Sequence, residues 1–292
     1  MLLVKLILFC FFASSFFLSA FAGTPVWKVE RNGSQIFIGG TVHLLTPADF
    51  PLPEAFDIAY QQSDKVIFEV NMDDMETPEF QASMMRILSY PKDQDLRLAL
   101  TAETFQALSR YCQNHNIPIE GLLPFKPSMV SLILSMTKLH QLGFTTEGVD
   151  ALYNQKALRD NKPIGALETV RQQLNFIVEM AKGQEDNLII YTLKEMEKLP
   201  QVMESMMIAW RHGDLISLDN VASKTLRKEF PSIHDELIVK RNNAWMPKIE
   251  ALFDTANVEF ILVGSLHLSG HTGLIAQLKT RGYSVEMLVE PN

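Results

Sequence analysis

The sequence predicts an α/β fold, with a mixed central sheet of N-terminal and C-terminal strands and a large helical lobe or cap. Short β-branched apolar segments, typical of buried strands, cluster near the two ends of the chain, and one lies in the middle. Between them, at approximately 75–160 and 170–255, apolar residues recur at helical spacing. These helical stretches are too long to be simple crossovers between strands, so we expect them to form a lobe or cap.

Composition and charge limit the class of protein. The chain has 292 residues, of which 47% are hydrophobic and 21% are charged, as in ordinary globular proteins. Its 26 Lys and Arg against 34 Asp and Glu give a net charge of -8, which argues against nucleic acid or an anionic membrane surface as the main partner. We expect residues 23–292 to form one domain, because no low-complexity linker marks a boundary.

Residues 1–22 have the pattern of a secretory signal peptide. A basic Lys5 precedes an apolar stretch, and Ala20-Phe-Ala matches the small-x-small pattern of a cleavage site. The prediction is an exported protein, periplasmic or secreted. The alternative is an uncleaved anchor, since the uncharged run through Trp27 is long enough to span a bilayer, and only then would the protein contact a membrane.

A β-hairpin is the first predicted element of the domain. Residues 26–31 and 35–40 are strand-like, and Asn32-Gly33 between them favours a tight turn. The later predicted elements are a helix at Glu54–Gln62, a strand at 65–70, interrupted helices over 78–159, a strand at 163–167, helices at 169–210 and 231–253, a strand at 258–263, a helix at 272–281 and a strand at 284–289.

Four of the predicted strands end in residues that can carry chemistry. Gly40-Thr-Val-His43 and Gly264-Ser-Leu-His267 repeat one pattern, in which a strand is followed by glycine, a small hydroxyl residue, an aliphatic residue and histidine. Two other strands end in Glu69 and Glu168. Ligands bind at the carboxyl ends of strands in α/β sheets. If the four strands are parallel neighbours, the two imidazoles and two carboxylates converge on one site.

Two histidines and a carboxylate are a ligand set for zinc, manganese or cobalt. We therefore predict a metal bound by His43, His267 and a carboxylate, Glu69 or Glu168, and the carboxylate that is not needed as a ligand could be the general base. Such a metal acidifies a bound water and polarises a carbonyl, which suits hydrolysis. The alternative is structural, since a histidine after a strand often only caps a turn and a strand-end glutamate is often solvated.

Arg241-Asn242 is a further candidate on the predicted helix at 231–253. It is either an ordinary charged helix face or an arginine that stabilises a developing oxyanion, with the asparagine as a second donor. The methionines at 203, 206 and 207 predict core packing. The chain lacks His-Glu-x-x-His, Gly-x-Ser-x-Gly, Cys-x-x-Cys, Walker and Gly-x-Gly-x-x-Gly motifs, which argues against the common zincin, esterase and nucleotide-binding classes.

The chain resembles the TraB/GumN (TraB/PrgY/Tiki) family along almost all of its mature length. The similarity is carried, in order, by these pieces: Gly40-Thr-Val-His43, Glu69, Gly148-Val-Asp150, Lys162-Pro-Ile-Gly-Ala-Leu-Glu168-Thr169 with Gln172 or Gln173 downstream, Arg241-Asn242, and Gly264-Ser-Leu-His267. The resemblance implies an α/β fold with paired Gly-x-x-His motifs. The resemblance implies a site formed by His43, Glu69, His267, Glu168, Arg241 and Asn242. Asp150 lies at a position where relatives often have an acidic residue.

Two functions follow as hypotheses. Animal Tiki members are regarded as metal-dependent proteases, so the first is an exported metal-dependent hydrolase, a peptidase that acts on a peptide or protein with a divalent metal ion as cofactor. The predicted metal ligands are His43, His267 and Glu69, and Glu168 would be the base or a fourth ligand. The second is a non-catalytic envelope binding protein that captures a peptide, haem or other small ligand in the same cleft. PrgY-like relatives, which dampen a peptide signal, support this second class.

Overall fold

One mixed sheet forms the centre of the protein. The computed structural model describes residues 23–145, 147–179 and 182–289, so the predicted signal peptide lies outside the described residues. Six strands pair in the order β4-β3-β5-β2-β1-β6. They are β1 (Val26–Arg31), β2 (Ser34–Thr41), β3 (Lys65–Phe68), β4 (Ile164–Ala166), β5 (Glu259–Gly264) and β6 (Ser284–Met287). The sheet is built from N-terminal and C-terminal strands, which confirms the predicted α/β fold.

Strand directions bring four strand ends to one edge. β1 is antiparallel to β2 and to β6, whereas β2, β5, β3 and β4 run parallel as successive neighbours. In this register Thr41 pairs with Gly264, and Phe68 pairs with both Leu262 and Ala166. The residues that follow these four strands therefore leave the sheet at the same edge, as the repeated motif predicts.

The hairpin and the helices also follow local sequence signals. Asn32 and Gly33 have φ of 52° and 86°, the left-handed conformation of the predicted turn. The helices are α1 (Glu54–Gln62), α2 (Met72–Glu76), α3 (Pro78–Leu88), α4 (Leu96–Ala99), α5 (Ala102–Asn114), α6 (Pro127–Gln141), α7 (Val149–Arg159), α8 (Val170–Glu179), α9 (Glu185–Arg211), α10 (Leu215–Leu218), α11 (Lys224–Glu229), α12 (Pro231–His234), α13 (Lys240–Leu252) and α14 (Leu274–Thr280).

Helices cover both faces of the sheet. On one face, Phe56 of α1, Tyr153 of α7 and Trp210 of α9 pack in one buried cluster with strand residues. On the other, α13 and α14 contribute Trp245 and Leu274 to a second cluster. Burial of apolar surface between these layers, worth about 25 cal/mol per Å², is the main stabilising contribution to such a fold.

A separate helical lobe has its own core. Helices α4, α5, α6 and α9 bury a third apolar cluster that includes Leu108, Cys112, Val130 and Ile189. Helix α9 extends over 27 residues from this lobe to the sheet, where Trp210 is fully buried. Because α9 belongs to both cores, it fixes the lobe over one edge of the sheet.

Two long predicted helices are divided in the structure. The predicted helix at 169–210 is formed by α8 and α9, and Gly183 between them has φ of 70°, which breaks a helix. The predicted helix at 231–253 comprises α12, a π-helical turn at Asp235–Val239 and α13. Among the residues that the structure describes, no helix is both long enough and apolar enough to cross a membrane.

Candidate functional site

The two Gly-x-x-His turns are held against each other. The Ser265 hydroxyl donates a hydrogen bond of 2.8 Å to the Thr41 carbonyl, and the Trp210 indole N–H donates one of 2.7 Å to the Gly40 carbonyl. A Cβ on Gly40 would lie 3.0 Å from the Ser265 Oγ, so glycine allows the close approach of the two turns. The turns place His43 and His267 on the same edge of the sheet.

Asp150 orients His43. The Val149 amide at the start of α7 donates to the Val42 carbonyl at 3.0 Å, which brings the helix against this turn. The Asp150 Oδ2 then lies 2.8 Å from the His43 Nδ1. Because a carboxylate only accepts, His43 donates from Nδ1 and directs Nε2 away from Asp150.

Gly148 is required where α7 meets His43. A Cβ at this position would lie 2.4 Å from both the carbonyl carbon and the carbonyl oxygen of His43, which are backbone atoms. We expect Gly148→Ala to lower the free energy of unfolding by about 1–3 kcal/mol, since the chain must shift to relieve the overlap. Chemical denaturation measures this. Gly121→Ala is the matched control, because a Cβ at Gly121 meets no atom within 4 Å; equal effects of the two variants would contradict the predicted contact.

Asn242 fixes the orientation and tautomer of His267. The Asn242 Nδ2 donates to the His267 and Thr272 carbonyls, both at 3.0 Å, so its Oδ1 is the acceptor for the His267 Nδ1 at 2.7 Å. The proton of neutral His267 is therefore on Nδ1 and the lone pair is on Nε2. Asn242 is fully buried, and both of its amide hydrogens already donate to carbonyl groups. It therefore positions the imidazole ring of His267 through Nδ1, on the side of the ring away from Nε2.

Arg241 lies at the centre of the site, and all five of its N–H groups have partners. Nε donates to Glu168, at 3.1 and 3.3 Å to its two oxygens, and Nη2 donates to Glu69 and to Glu168. Nη1 donates to the His267 Nε2 at 3.0 Å and, weakly, to the Leu237 carbonyl at 3.4 Å. This arrangement leaves no N–H of Arg241 for the predicted contact with an oxyanion.

Glu69 and Glu168 are both buried and both hydrogen-bonded. The Glu69 Oε1 accepts from the Gly264 amide at 2.7 Å and lies 3.9 Å from the His267 Nε2, and Oε2 accepts from Gln173 at 3.1 Å and from Arg241. Glu168 accepts from Arg241 and from the Trp245 indole, the latter at 3.0 Å. Both oxygens of Glu168 accept hydrogen bonds from these neighbours, so Glu168 is a partner of Arg241 in this arrangement.

The charge states of the buried groups follow from these contacts. Burial raises the pKa of Glu69, but the neighbouring His267, Arg241 and His43 have the larger, opposite effect, so the pKa is lowered to about 2. Burial lowers the pKa of His267 to about 3, although Glu69 opposes the change. Burial also raises the pKa of Glu168 above its ordinary value, against the opposing charge of Arg241. At neutral pH, Glu69 is a carboxylate and His267 is a neutral imidazole whose Nε2 lone pair accepts from Arg241.

His43 differs from His267 in charge and exposure. Its side chain is 62% exposed at the mouth of the site, whereas that of His267 is 5% exposed. The Asp150 carboxylate is the largest influence and raises the pKa of His43 to about 9. His43 is therefore protonated at neutral pH in the metal-free protein, and a cation that binds Nε2 must displace a proton.

The donor chemistry of the three predicted ligands fits a divalent metal. Both imidazoles hold Nδ1 in a hydrogen bond to a side-chain oxygen, as histidines that bind a metal through Nε2 generally do. A Cβ on Gly264 would lie 3.2 Å from the Glu69 Oε1 and 3.9 Å from the His43 Nε2, so glycine keeps the space between them open. Within the described residues, no three His, Cys, Asp or Glu side chains are spaced to hold a metal as they stand. The bond from Arg241 to the His267 Nε2 is the contact that a metal would have to replace.

A cavity of about 540 Å³ opens above these groups. Its floor contains His43, Glu69, Gln173, Arg241 and His267, and its walls are apolar side chains. Met203 and Met206 are among the wall residues, so the prediction that these methionines only pack in the core is incomplete. A methionine in a core and one in an apolar cavity have the same local sequence pattern, which is why the pattern does not distinguish them.

The structure brings all six predicted site residues together. Four of them lie on the floor of the cavity, and the other two, Glu168 and Asn242, lie behind these four and bond to them. Two contributors carried no independent chemical signal in the sequence: Trp245, whose ring centroid lies 4.5 Å from that of His267, and Gln173, which was named only as one of two glutamines in the family resemblance. The helical spacing of Arg241, Asn242 and Trp245 places them on one face of α13, and this spacing is the signal that could have identified Trp245.

Comparisons with known proteins identify a matching family profile and sequence relatives of the chain. The profile of the TraB/PrgY/gumN family matches residues 25–287. The chain is 25% identical to "Uncharacterized protein YbaP" of Escherichia coli (strain K12), over 87% of this chain and 92% of that protein. It is 24% identical to "Metalloprotease TIKI1" of Danio rerio, over 89% of this chain but only 62% of that longer protein. No solved structure matches the chain significantly.

Proposed function

Since this chain belongs to the TraB/PrgY/gumN family, we propose that it is an exported metal-dependent hydrolase that cleaves peptides. One observation carries the proposal: two imidazoles, each with Nδ1 hydrogen-bonded, flank an ionised glutamate at the floor of a cavity. The TIKI1 relative is named a metalloprotease, which supports the reaction class. Export is proposed from residues 1–22, which have the pattern of a signal peptide.

His43, His267 and Glu69 are the residues that would hold the metal. A metal ion bound there supplies a nucleophilic water at neutral pH and polarises the substrate carbonyl. Asp150 and Asn242 hold the two imidazoles in the tautomer that presents Nε2. Arg241 keeps Glu69 ionised, and Glu168 holds Arg241 in place. A ligand that takes the His267 Nε2 would release the N–H of Arg241 that now bonds to it, and that N–H is then available for an oxyanion.

Metal affinity and peptide cleavage test the proposal together. We expect the purified protein to bind Zn²⁺, Mn²⁺ or Co²⁺ in calorimetric titration and to cleave peptides. We expect Asp150→Asn to weaken metal binding by about 10–100-fold, because it removes the carboxylate that bonds to the His43 Nδ1. Asp254→Asn, which changes an exposed carboxylate in a loop, is the control and should retain wild-type affinity. A wild-type protein that binds none of the three metals and cleaves no peptide would exclude this function.

A second function, non-catalytic capture of a small ligand, is favoured by one feature of the site. Arg241 already occupies the His267 Nε2, and the cavity walls are apolar, which is the environment of a binding pocket. A binding protein of this kind would give a new absorbance band on mixing with haem, or would retain a peptide without cutting it. Metal binding together with peptide turnover would exclude it.

A further inference from the structure

The proposed site lies at the closed end of a cavity that has an apolar wall. Six side chains from the helices above the sheet form much of this wall: Leu139, Phe176, Ile177, Met203, Leu237 and Ile238. The polar side chains among the lining residues lie at the sheet edge, where Glu69 and Arg241 are already bonded to each other. A polar substituent that packs against this apolar wall would therefore lose its hydration without gaining a partner there, whereas an apolar one gains from burial.

The site residues also border a second recess. This recess has a volume of about 390 Å³ and shares Thr41, His43, Glu69 and Gln173 with the first cavity. It continues past His43 towards Val70 and Met72. A substrate placed over His43 thus finds space on both sides, as an extended chain requires. The apolar walls argue against a sugar chain, because they offer few partners for its hydroxyl groups.

We infer that the cavity binds a large apolar side chain (leucine, methionine or phenylalanine) of a peptide substrate, at a residue next to the bond that is cleaved. This inference rests on the proposed hydrolase function and adds the substrate class. The wall residues belong to α6, α8, α9 and the π-helical turn before α13. The helical lobe and its neighbours therefore determine which peptide is accepted, whereas the sheet edge supplies the chemistry.

A peptide library tests this specificity. The purified protein, supplied with Zn²⁺, Mn²⁺ and Co²⁺ in turn, is incubated with a mixture of peptides and the cut sites are located by mass spectrometry. We expect Leu, Met or Phe at one fixed position beside the cut, and a fall in kcat/KM of about tenfold or more when that residue is replaced by Ser. Cleavage without any such preference would overturn the inference and leave the hydrolase function standing.

A variant that fills the cavity tests the location. Ile177→Trp adds volume to the wall, and we expect it to shift the preferred residue from Phe towards Ala. Ile190→Trp, at an exposed position of α9, is the matched control and should keep the wild-type preference. Ile177→Phe is the smaller change if the tryptophan variant does not fold. An unchanged preference in a folded Ile177 variant would contradict the assignment of this cavity.

Binding measurements separate the inference from the proposed function. If no peptide is cut, the hydrolase function fails, and calorimetry then compares two blocked pentapeptides that differ only in a central Phe or Ser. We expect the Phe peptide to bind about tenfold more tightly or better, and Ile177→Trp to abolish this difference. Equal affinities of the two peptides for the wild-type protein would overturn the inference on their own.

Discussion

Replacing Arg241 with methionine should lower the free energy of unfolding by about 3–5 kcal/mol, because it leaves buried carboxylates without their counter-ion. Arg241 bonds to both Glu69 and Glu168, and each of the three side chains is less than one tenth exposed. Methionine keeps much of the apolar stem but supplies no positive charge. Chemical denaturation at neutral pH, followed by circular dichroism, measures the loss.

Two comparisons make this result specific to the buried cluster. Lys194→Met removes an ion pair with Glu229 whose side chains are 49% and 40% exposed, and it should cost less than about 1 kcal/mol. Adding Glu69→Gln and Glu168→Gln to Arg241→Met should restore part of the lost stability, since the unpaired charges are then removed. If Arg241→Met were as mild as the surface control, the guanidinium would not be the partner that holds these carboxylates.

Acidification should destabilise the protein through His267. Its pKa is about 3 in the folded protein and 6.5 ordinarily, so the unfolded chain binds more protons between these values. The stability that His267 contributes is therefore fully present above pH 6.5 and is lost as the pH falls towards 3. At about 1.4 kcal/mol for each pKa unit, the contribution lost between pH 6.5 and pH 4 is on the order of 3 kcal/mol.

A variant without the imidazole isolates this contribution. Glu69, whose pKa is lowered to about 2, adds to the loss below its ordinary pKa of 4.5, whereas Glu168, whose pKa is raised, opposes it. His43 stays protonated in the folded protein, while in the unfolded chain it takes up its proton near the ordinary pKa of 6.5, so it opposes the loss only at the upper end of this range. The unfolding free energy of His267→Asn should therefore depend less steeply on pH than that of the wild type, and His140→Asn is the matched control at an exposed histidine. Parallel pH profiles for wild type and His267→Asn would refute the buried neutral histidine.

Much of the fold was predictable because its signals are local. Asn32-Gly33 specifies a tight turn, and the apolar runs at the two chain ends specify buried strands. The division of the predicted helix at 169–210 was missed, since Gly183 adopts a positive φ that the helical spacing of its neighbours conceals. The repeated Gly-x-x-His pattern was found because both copies follow a strand directly.

The role of each residue in the site was harder to predict than which residues form the site. Arg241 was a candidate for the oxyanion, yet all of its N–H groups bond to protein atoms. Helical spacing shows that Arg241 and Trp245 share a face of α13, but it does not show that this face meets Glu168, 77 residues earlier than Trp245 in the chain. Such contacts depend on how a helix packs against the sheet, which no local pattern encodes.

Residue order and spacing alone establish an α/β protein with paired strand-end histidines and two strand-end glutamates, because turns, strands and helices depend on neighbours along the chain. Tertiary structure decides that four parallel strands end at one edge, that Asn242 and Asp150 bond to the Nδ1 atoms of the two histidines, and that Arg241 lies among the donors. It also decides that the helical lobe forms an apolar wall over the site. These features join residues separated by as many as 224 positions, as between Thr41 and Ser265, and only the packing of the complete chain brings them into contact.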